Sequence, residues 1–320
     1  MIASMTAGTL VVGTITQDFV ESPALRLEAE LGGSAAYFAL AARHFGPVAV
    51  VAPVGHDREA DARGALEFAN LGGLSVVDEP TTSWHARRAS AGGEAETLSP
   101  FAGSGAGYLP PLEGAAQWPS VILLGSCEPA TQLAVAQAAP PGSLLAADTM
   151  DGFIREQREL VGRVLIASRV LLATETEVRL LSGGEDDAPA SLVMSRFGLD
   201  AVVVKRGAAG AELWTPATIY ELPAYPVEAI DPTGAGDALA GGFLGRLAQR
   251  VPEEAGHRWL RDSDRPALLS ADLLEALRWG VVCASFAIEA PGLAGLRAMT
   301  REALWDRMSQ YQLTIAEEVP

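Results

Sequence analysis

The sequence predicts an α/β fold built around a mostly parallel sheet. Short apolar runs alternate with stretches of helical spacing, which implies strand–helix–strand units. Several runs are apolar at consecutive positions, as strands covered on both faces must be. With 320 residues, 49% hydrophobic and 20% charged, the chain can bury one large core, and a single domain over 1–320 is expected.

Thr9–Val12 reads as the first strand, and Ser34–His44, rich in small and apolar residues, as a helix. Strand Val48–Ala52 leads to helix Arg58–Asn70 and strand Leu74–Val77. The alternation continues with strand Val121–Leu124 and helix Ala130–Ala138, then strand Leu144–Ala147 and helix Gly152–Leu160. Strand Val170–Leu172, helix Glu175–Leu181 and strand Ala201–Val204 complete it. Residues 18–31 and 81–108 break the rhythm with short alternating segments, Gly and Ser. They read either as two surface loops or as pieces of a small second β-sheet. Residues 183–190 and 251–270 read as exposed turns.

The net charge is −17. No lysine or arginine run offers a face for a phosphate backbone, which argues against nucleic acid as a partner. No stretch of 18 apolar residues suggests a membrane span. Cys127 and Cys283 are far apart and lack metal-ligand spacing. The first residues carry no basic leader, so a cytoplasmic protein is expected.

The strongest chemical signal is Asp231-Pro232-Thr233-Gly234-Ala235-Gly236-Asp237, followed by ALAGGFLGRLAQR. The second part has helical spacing; the first is a glycine-rich turn feeding it. Backbone N–H groups from Gly234 to Asp237 would converge at the positive end of that helix and form an anion hole. Asp237, in the first turn, could take a proton from a hydroxyl that attacks a phosphoryl group. The same pattern also fits an aspartate that caps its helix. A G-x-x-x-x-G-K-[ST] loop and an N-terminal G-x-G-x-x-G fingerprint are both absent, which speaks against a P-loop protein and a dinucleotide oxidoreductase.

DPTGAGDALAGGF resembles the C-terminal signature of the ribokinase-like (PfkB) carbohydrate and nucleoside kinases, and further segments follow in that family's order. LVVGTITQDFV resembles the first strand, ending in Asp18. LGGSAAYFALAARHFG resembles the Gly-Gly signature, with Gly32 and Gly33. VAPVGHDREA, ATETEVRLLSG and VVVKRGAAGAEL resemble the next three motifs, and AIEAPG resembles the closing segment. The resemblance implies a three-layer αβα fold with a small β-lid formed by about 18–31 and 81–108. It implies transfer of the γ-phosphoryl of ATP to an alcohol, with Mg²⁺ as cofactor.

By the same resemblance Asp237 is the base, and the backbone of Gly234, Ala235 and Gly236 holds the phosphoryl. Asp18, Gly32, Gly33 and Tyr37 bind the acceptor. Lys205, Gly207, Gly210 and Thr233 meet the ATP phosphates, and Ala284 and Ala287 approach the adenine. Glu177 holds Mg²⁺ through water, and Asp231 matches the residue that helps hold K⁺ in potassium-activated relatives. Asp148, at the carboxyl end of a strand, either hydrogen-bonds the acceptor or structures a turn.

Two departures bear on the acceptor and the metal. Thr174 stands where the family has asparagine. Tyr37 replaces a substrate-binding amide, which puts ribose in doubt and favours a bulkier ligand or one with an apolar face. Trp84, Ala86 and Arg88 share one face of an alternating segment and His85 and Arg87 the other; the sequence leaves open which face meets substrate. Arg87 and Arg88 would be the cations for a phosphorylated acceptor. The expected acceptor is an unphosphorylated sugar or cyclitol, with a nucleoside as the alternative and Tyr37, Trp84 or Phe101 as base platforms. A ligand-sensing relative without turnover would have lost the base or the anion hole. An exposed lid edge would favour a homodimer.

Overall fold

In the computed structural model, residues 8–317 are described except 24, 90–94, 99–101, 116–117, 185–187, 251–267 and 269. Phe101, most of 251–270 and the centre of 183–190 therefore lie outside the described residues. The chain begins β1 (Thr9–Val12), β2 (Thr16–Glu21), β3 (Arg26–Gly32), α1 (Ser34–Ala42), β4 (Val48–Gly55), α2 (Glu59–Ala65) and β5 (Asn70–Val77). It continues with β6 (Thr82–Arg88), β7 (Ala95–Thr97), β8 (Val121–Leu124), α3 (Pro129–Ala138), β9 (Leu144–Asp148), α4 (Asp151–Glu156) and α5 (Arg158–Ala167). Next come β10 (Val170–Thr174), α6 (Glu175–Ser182), α7 (Pro189–Phe197), β11 (Ala201–Lys205), β12 (Ala211–Trp214) and β13 (Ile219–Leu222). Four helices close it: α8 (Ala235–Arg250), α9 (Ser270–Ile288), α10 (Ala294–Ala298) and α11 (Arg301–Glu317).

The apolar runs pair side by side. The large sheet has nine strands in the order β13-β12-β11-β10-β9-β8-β1-β4-β5. From β11 to β5 every pairing is parallel, and β12 and β13 add an antiparallel edge. β1 and β8 are buried along their whole length, so their consecutive apolar residues pack on both faces. One core places Tyr37, Phe38, Phe243 and Trp279 between the sheet and α1, α8 and α9. The other places Val135, Val161, Leu165 and Val178 against the opposite face. These are the three layers.

The two stretches that broke the rhythm form one small sheet, ordered β3-β2-β6-β7. β2 pairs antiparallel with β3 and parallel with β6.

Two helix boundaries differ from expectation. The helix expected over Arg58–Asn70 stops at Ala65, and Asn70 opens β5. Gly72 N–H donates to Asn70 Oδ1, and a Cβ on Gly73 would lie 2.7 Å from Val50 O. Close strand pairing therefore claims this segment and excludes larger side chains. The helix expected over Gly152–Leu160 is two helices, α4 and α5, broken at Gln157 with φ −129° and ψ 38°.

Candidate active site

Parallel strands end together, and their carboxyl ends here line a cavity of about 450 Å³. β9 delivers Asp148, β10 with α6 delivers Thr174 and Glu177, β11 delivers Lys205, and the start of α8 delivers Gly234, Gly236 and Asp237. The small sheet faces them with Asp18, Trp84 and Arg88.

The turn before α8 has the shape its glycines allow. Gly234 adopts φ +73°, and a Cβ there would lie 2.2 Å from the ring of Tyr37, so the phenol packs flat against this peptide. Ala238 N–H donates to Gly234 O at 2.9 Å and opens the helical ladder. N–H groups in the first turn have no partner within a helix and carry its positive end. Ala235 is the exception, because its N–H donates to Pro232 O at 3.3 Å and the residue does not line the cavity. Gly234, Gly236 and Asp237 line the cavity, and Ala235 between them does not. Asp237 is half-buried at the cavity wall. Burial and the nearby Asp148 push its carboxyl up to about 7, against the pull of Lys205.

Lys205 joins these groups. Its Nζ donates to both Asp148 oxygens, at 3.0 and 2.8 Å. A Cβ on Gly236 would lie 3.3 Å from the same Nζ, so the amine borders the glycine turn. Although burial opposes its charge, Asp148 and Glu177 hold the ammonium above its ordinary range. Thr174, where asparagine was expected, caps α6. Its hydroxyl accepts from Glu177 N–H at 3.2 Å, and Glu177 Oε2 accepts from Thr174 N–H at 2.7 Å, a reciprocal box. Glu177 is pushed up to about 7, chiefly by burial and, despite Lys205, by Asp148.

At the opposite end, Asp18 is 3% exposed and its Oδ1 accepts from the Thr16 hydroxyl at 2.6 Å. Burial, with Asp231 adding to it, pushes its carboxyl up to about 7. Gly32 is needed for Asp18: a Cβ there would lie 2.0 Å from Asp18 Oδ2. Gly33, with φ +98°, packs on Thr14 O and lines the cavity; Gly32 does not line it. Tyr37 is 1% exposed, and its hydroxyl has no hydrogen-bond partner among the described residues. Burial and the carboxylates of Asp18, Asp231 and Asp237 hold the phenol protonated, so it can donate. The buried Thr149 hydroxyl, also in the lining, likewise lacks a partner among the described residues.

The small sheet turns its Trp84 face inward. Trp84 and Arg88 line the cavity, while His85 stacks on Phe19 with centroids 4.4 Å apart. Arg87 is exposed and lies 3.8 Å from Glu21. Arg88 is 8% exposed, and its Nη2 donates to Thr233 Oγ1 at 3.2 Å.

Other expected contacts lie elsewhere. Ala287 is fully buried in the core. Ala284 packs on the same core from a half-buried position. Gly207 sits in an exposed turn, and a Cβ on Gly210 would lie 2.0 Å from Leu222 O, so this glycine serves the approach of β13. Asp231 is 1% exposed and clamps two loops: Oδ1 accepts from Thr233 N–H at 3.1 Å and Oδ2 from Gly292 N–H at 2.9 Å.

A family model described as pfkB family carbohydrate kinase matches residues 11–298. A cytidine kinase of Thermococcus kodakarensis is 32% identical over 102 residues, 31% of this chain and 36% of that protein. A 2-dehydro-3-deoxygalactonokinase of Haloferax volcanii is 39% identical over 87 residues, 27% of each chain. The chain thus spans about a third or less of these relatives' lengths. An E. coli structure provisionally named ribokinase II, in complex with ATP and Mg²⁺, is similar with a TM-score of 0.71 at 19% identity, covering 95% of this chain and 100% of that one. At that identity the likeness speaks for the fold.

Proposed function

We propose that this chain, which belongs to the pfkB family of carbohydrate kinases, transfers the γ-phosphoryl group of Mg·ATP to a hydroxyl of a small polyol. The observation that carries this is Asp237, with a carboxyl near neutrality, set beside glycine N–H groups and Lys205 in one cavity. A base titrating near the working pH combines a sizeable ionised fraction with enough basicity to take a proton.

The acceptor lies between Asp18 and Asp237. Asp18 and the Tyr37 phenol hydrogen-bond its other oxygens. Asp237 accepts the proton of the attacking hydroxyl. Gly234 and Gly236 N–H groups and Lys205 bind the oxygens of the phosphoryl, where negative charge is concentrated. The small sheet covers the reacting atoms and excludes water.

The donor set fits Mg²⁺. Glu177 and Asp148 offer hard carboxylate oxygens, and burial, with Asp148 adding to it, pushes the Glu177 carboxyl up to about 7, a penalty on its charge that a divalent cation would relieve. Glu177 would hold the ion through water, and the ion would supply charge neutralisation on the phosphates. Potassium fits less well, since Asp231 is 1% exposed, does not line the cavity and holds two backbone N–H groups.

An unphosphorylated sugar or cyclitol is the preferred acceptor. The second reading, a nucleoside, rests on Trp84. The Tyr37 ring is taken up by Gly234, which leaves Trp84 as the aromatic surface in the described lining. The test is ADP release from Mg·ATP with pentoses, hexoses, phosphohexoses, inositols and nucleosides, with and without K⁺. One class standing well above hydrolysis supports the proposal. Absence of nucleotide binding sinks it.

A further inference from the structure

We infer that Arg88, carried by the small sheet, is a catalytic residue that binds the phosphoryl group during transfer; the inference rests on the kinase reading above. Arg88 ends β6, whose alternation sends Trp84 and Arg88 inward and Arg87 outward. Its stem crosses from the small sheet to the large-sheet wall, and the guanidinium hydrogen-bonds Thr233, the residue directly before Gly234. Asp231 and Tyr37 lie within charge range of it.

The anion hole is therefore flanked by two cations from different layers. Lys205 borders Gly236 from β11, and Arg88 borders Thr233 from β6. Lys205 Nζ donates to both Asp148 oxygens, and Arg88 Nη2 donates to the Thr233 hydroxyl. Its contact is to the loop of the anion hole rather than to Asp18, which puts its charge on the phosphoryl side of the cavity.

In the transfer, the bond from phosphorus to the bridging oxygen of ATP breaks and its electron pair leaves with ADP. The bond from phosphorus to the acceptor oxygen forms, and the acceptor proton passes to Asp237. Arg88 stays protonated and exchanges no proton; it neutralises charge on the equatorial oxygens. A guanidinium in that role accelerates transfer about 10³–10⁵-fold in other phosphoryl-transfer enzymes. Because Arg88 belongs to the covering sheet, charge neutralisation and exclusion of water arrive together.

The test is calorimetric binding of Mg·ADP, alone and with aluminium fluoride as a mimic of the phosphoryl in flight, to the full chain. Transition-state mimics bind at least about 100-fold tighter than ground-state ligands, so wild type should show that gain. Arg88→Gln should lose most of the gain while its affinity for Mg·ADP stays within about threefold, which also shows that the variant is folded. Arg88→Lys should keep part of it and serves if the glutamine variant fails to fold. A full gain in either variant overturns the inference. Equal losses for Mg·ADP and the mimic also overturn it, because they mark a structural fastener. If wild type binds no Mg·ADP, the kinase reading falls first and takes this one with it.

Discussion

The two walls of the cavity are built on different principles. The large-sheet wall takes Asp148, Thr174 and Lys205 from the ends of adjacent parallel strands, and its groups tie to one another: Lys205 to Asp148, Glu177 to Thr174. The small-sheet wall takes Asp18, Trp84 and Arg88 from two paired strands and reaches across through the Arg88–Thr233 contact. Rigid strand ends suit groups that must meet a phosphoryl to within a fraction of an ångström. A separate covering sheet suits the choice of acceptor and closure. In the proposed mechanism chemistry belongs to the first wall and selection to the second, with Arg88 as the link.

Substitutions can break that division, beginning with the largest effect. Asp237→Asn keeps shape and removes the proposed base, so turnover should fall by about 10²–10⁴-fold with nucleotide affinity retained. Lys205→Met should lower turnover by about 10²-fold. It should also move the pH profile of kcat/KM upward, because the pull that lowers the Asp237 carboxyl is gone. An unmoved profile with normal turnover would reduce Lys205 to a structural partner of Asp148.

The pH dependence sharpens the comparison. Asp18, Glu177 and Asp237 titrate near 7 in the folded chain, above their ordinary values. The unfolded chain gives up these protons near pH 4, so the stability they lend is complete below that and is lost as pH rises through about 7. Activity should run the other way, since the proposed base, Asp237, accepts a proton only when ionised. Between pH 5 and 7 the Tm of the ligand-free protein should fall (about the window between the unfolded and folded values of these groups) and flatten above it, while kcat/KM rises through about 7 to a plateau. A double variant, Asp18→Asn with Asp237→Asn, should flatten the thermal slope. A Tm that climbs over that interval would contradict the burial argument. The smallest effect concerns the cation: replacing K⁺ by a bulky organic cation should change the rate by less than about twofold, because the Asp231 carboxylate is 1% exposed and lies outside the cavity lining.

Much of this was legible in the sequence because it follows from local pattern. Consecutive apolar positions gave β1, β8, β9, β10 and β11, and Gly234-Ala235-Gly236-Asp237 marked the start of α8. What was not legible depends on contacts across the chain. Tyr37 read as a substrate ligand, but its ring is also the surface on which Gly234 rests. Thr174 read as a lost amide, but pairing with Glu177 turns it into a helix cap. Alternation grouped Trp84 with Arg88, yet only the parallel pairing of Asp18 with Trp84 turns that face toward the cavity. The strand at Asn70 is set by its pairing with β4, which periodicity does not report.

The most direct test of the division between the walls is ADP release from Mg·ATP by wild type, Asp237→Asn and Trp84→Ala against one acceptor panel. The account predicts that Asp237→Asn loses turnover on every acceptor alike. Trp84→Ala should keep its ATP KM and change the ranking of acceptors through their KM values. Normal turnover in Asp237→Asn, or an unchanged ranking in Trp84→Ala with turnover lost throughout, would contradict it.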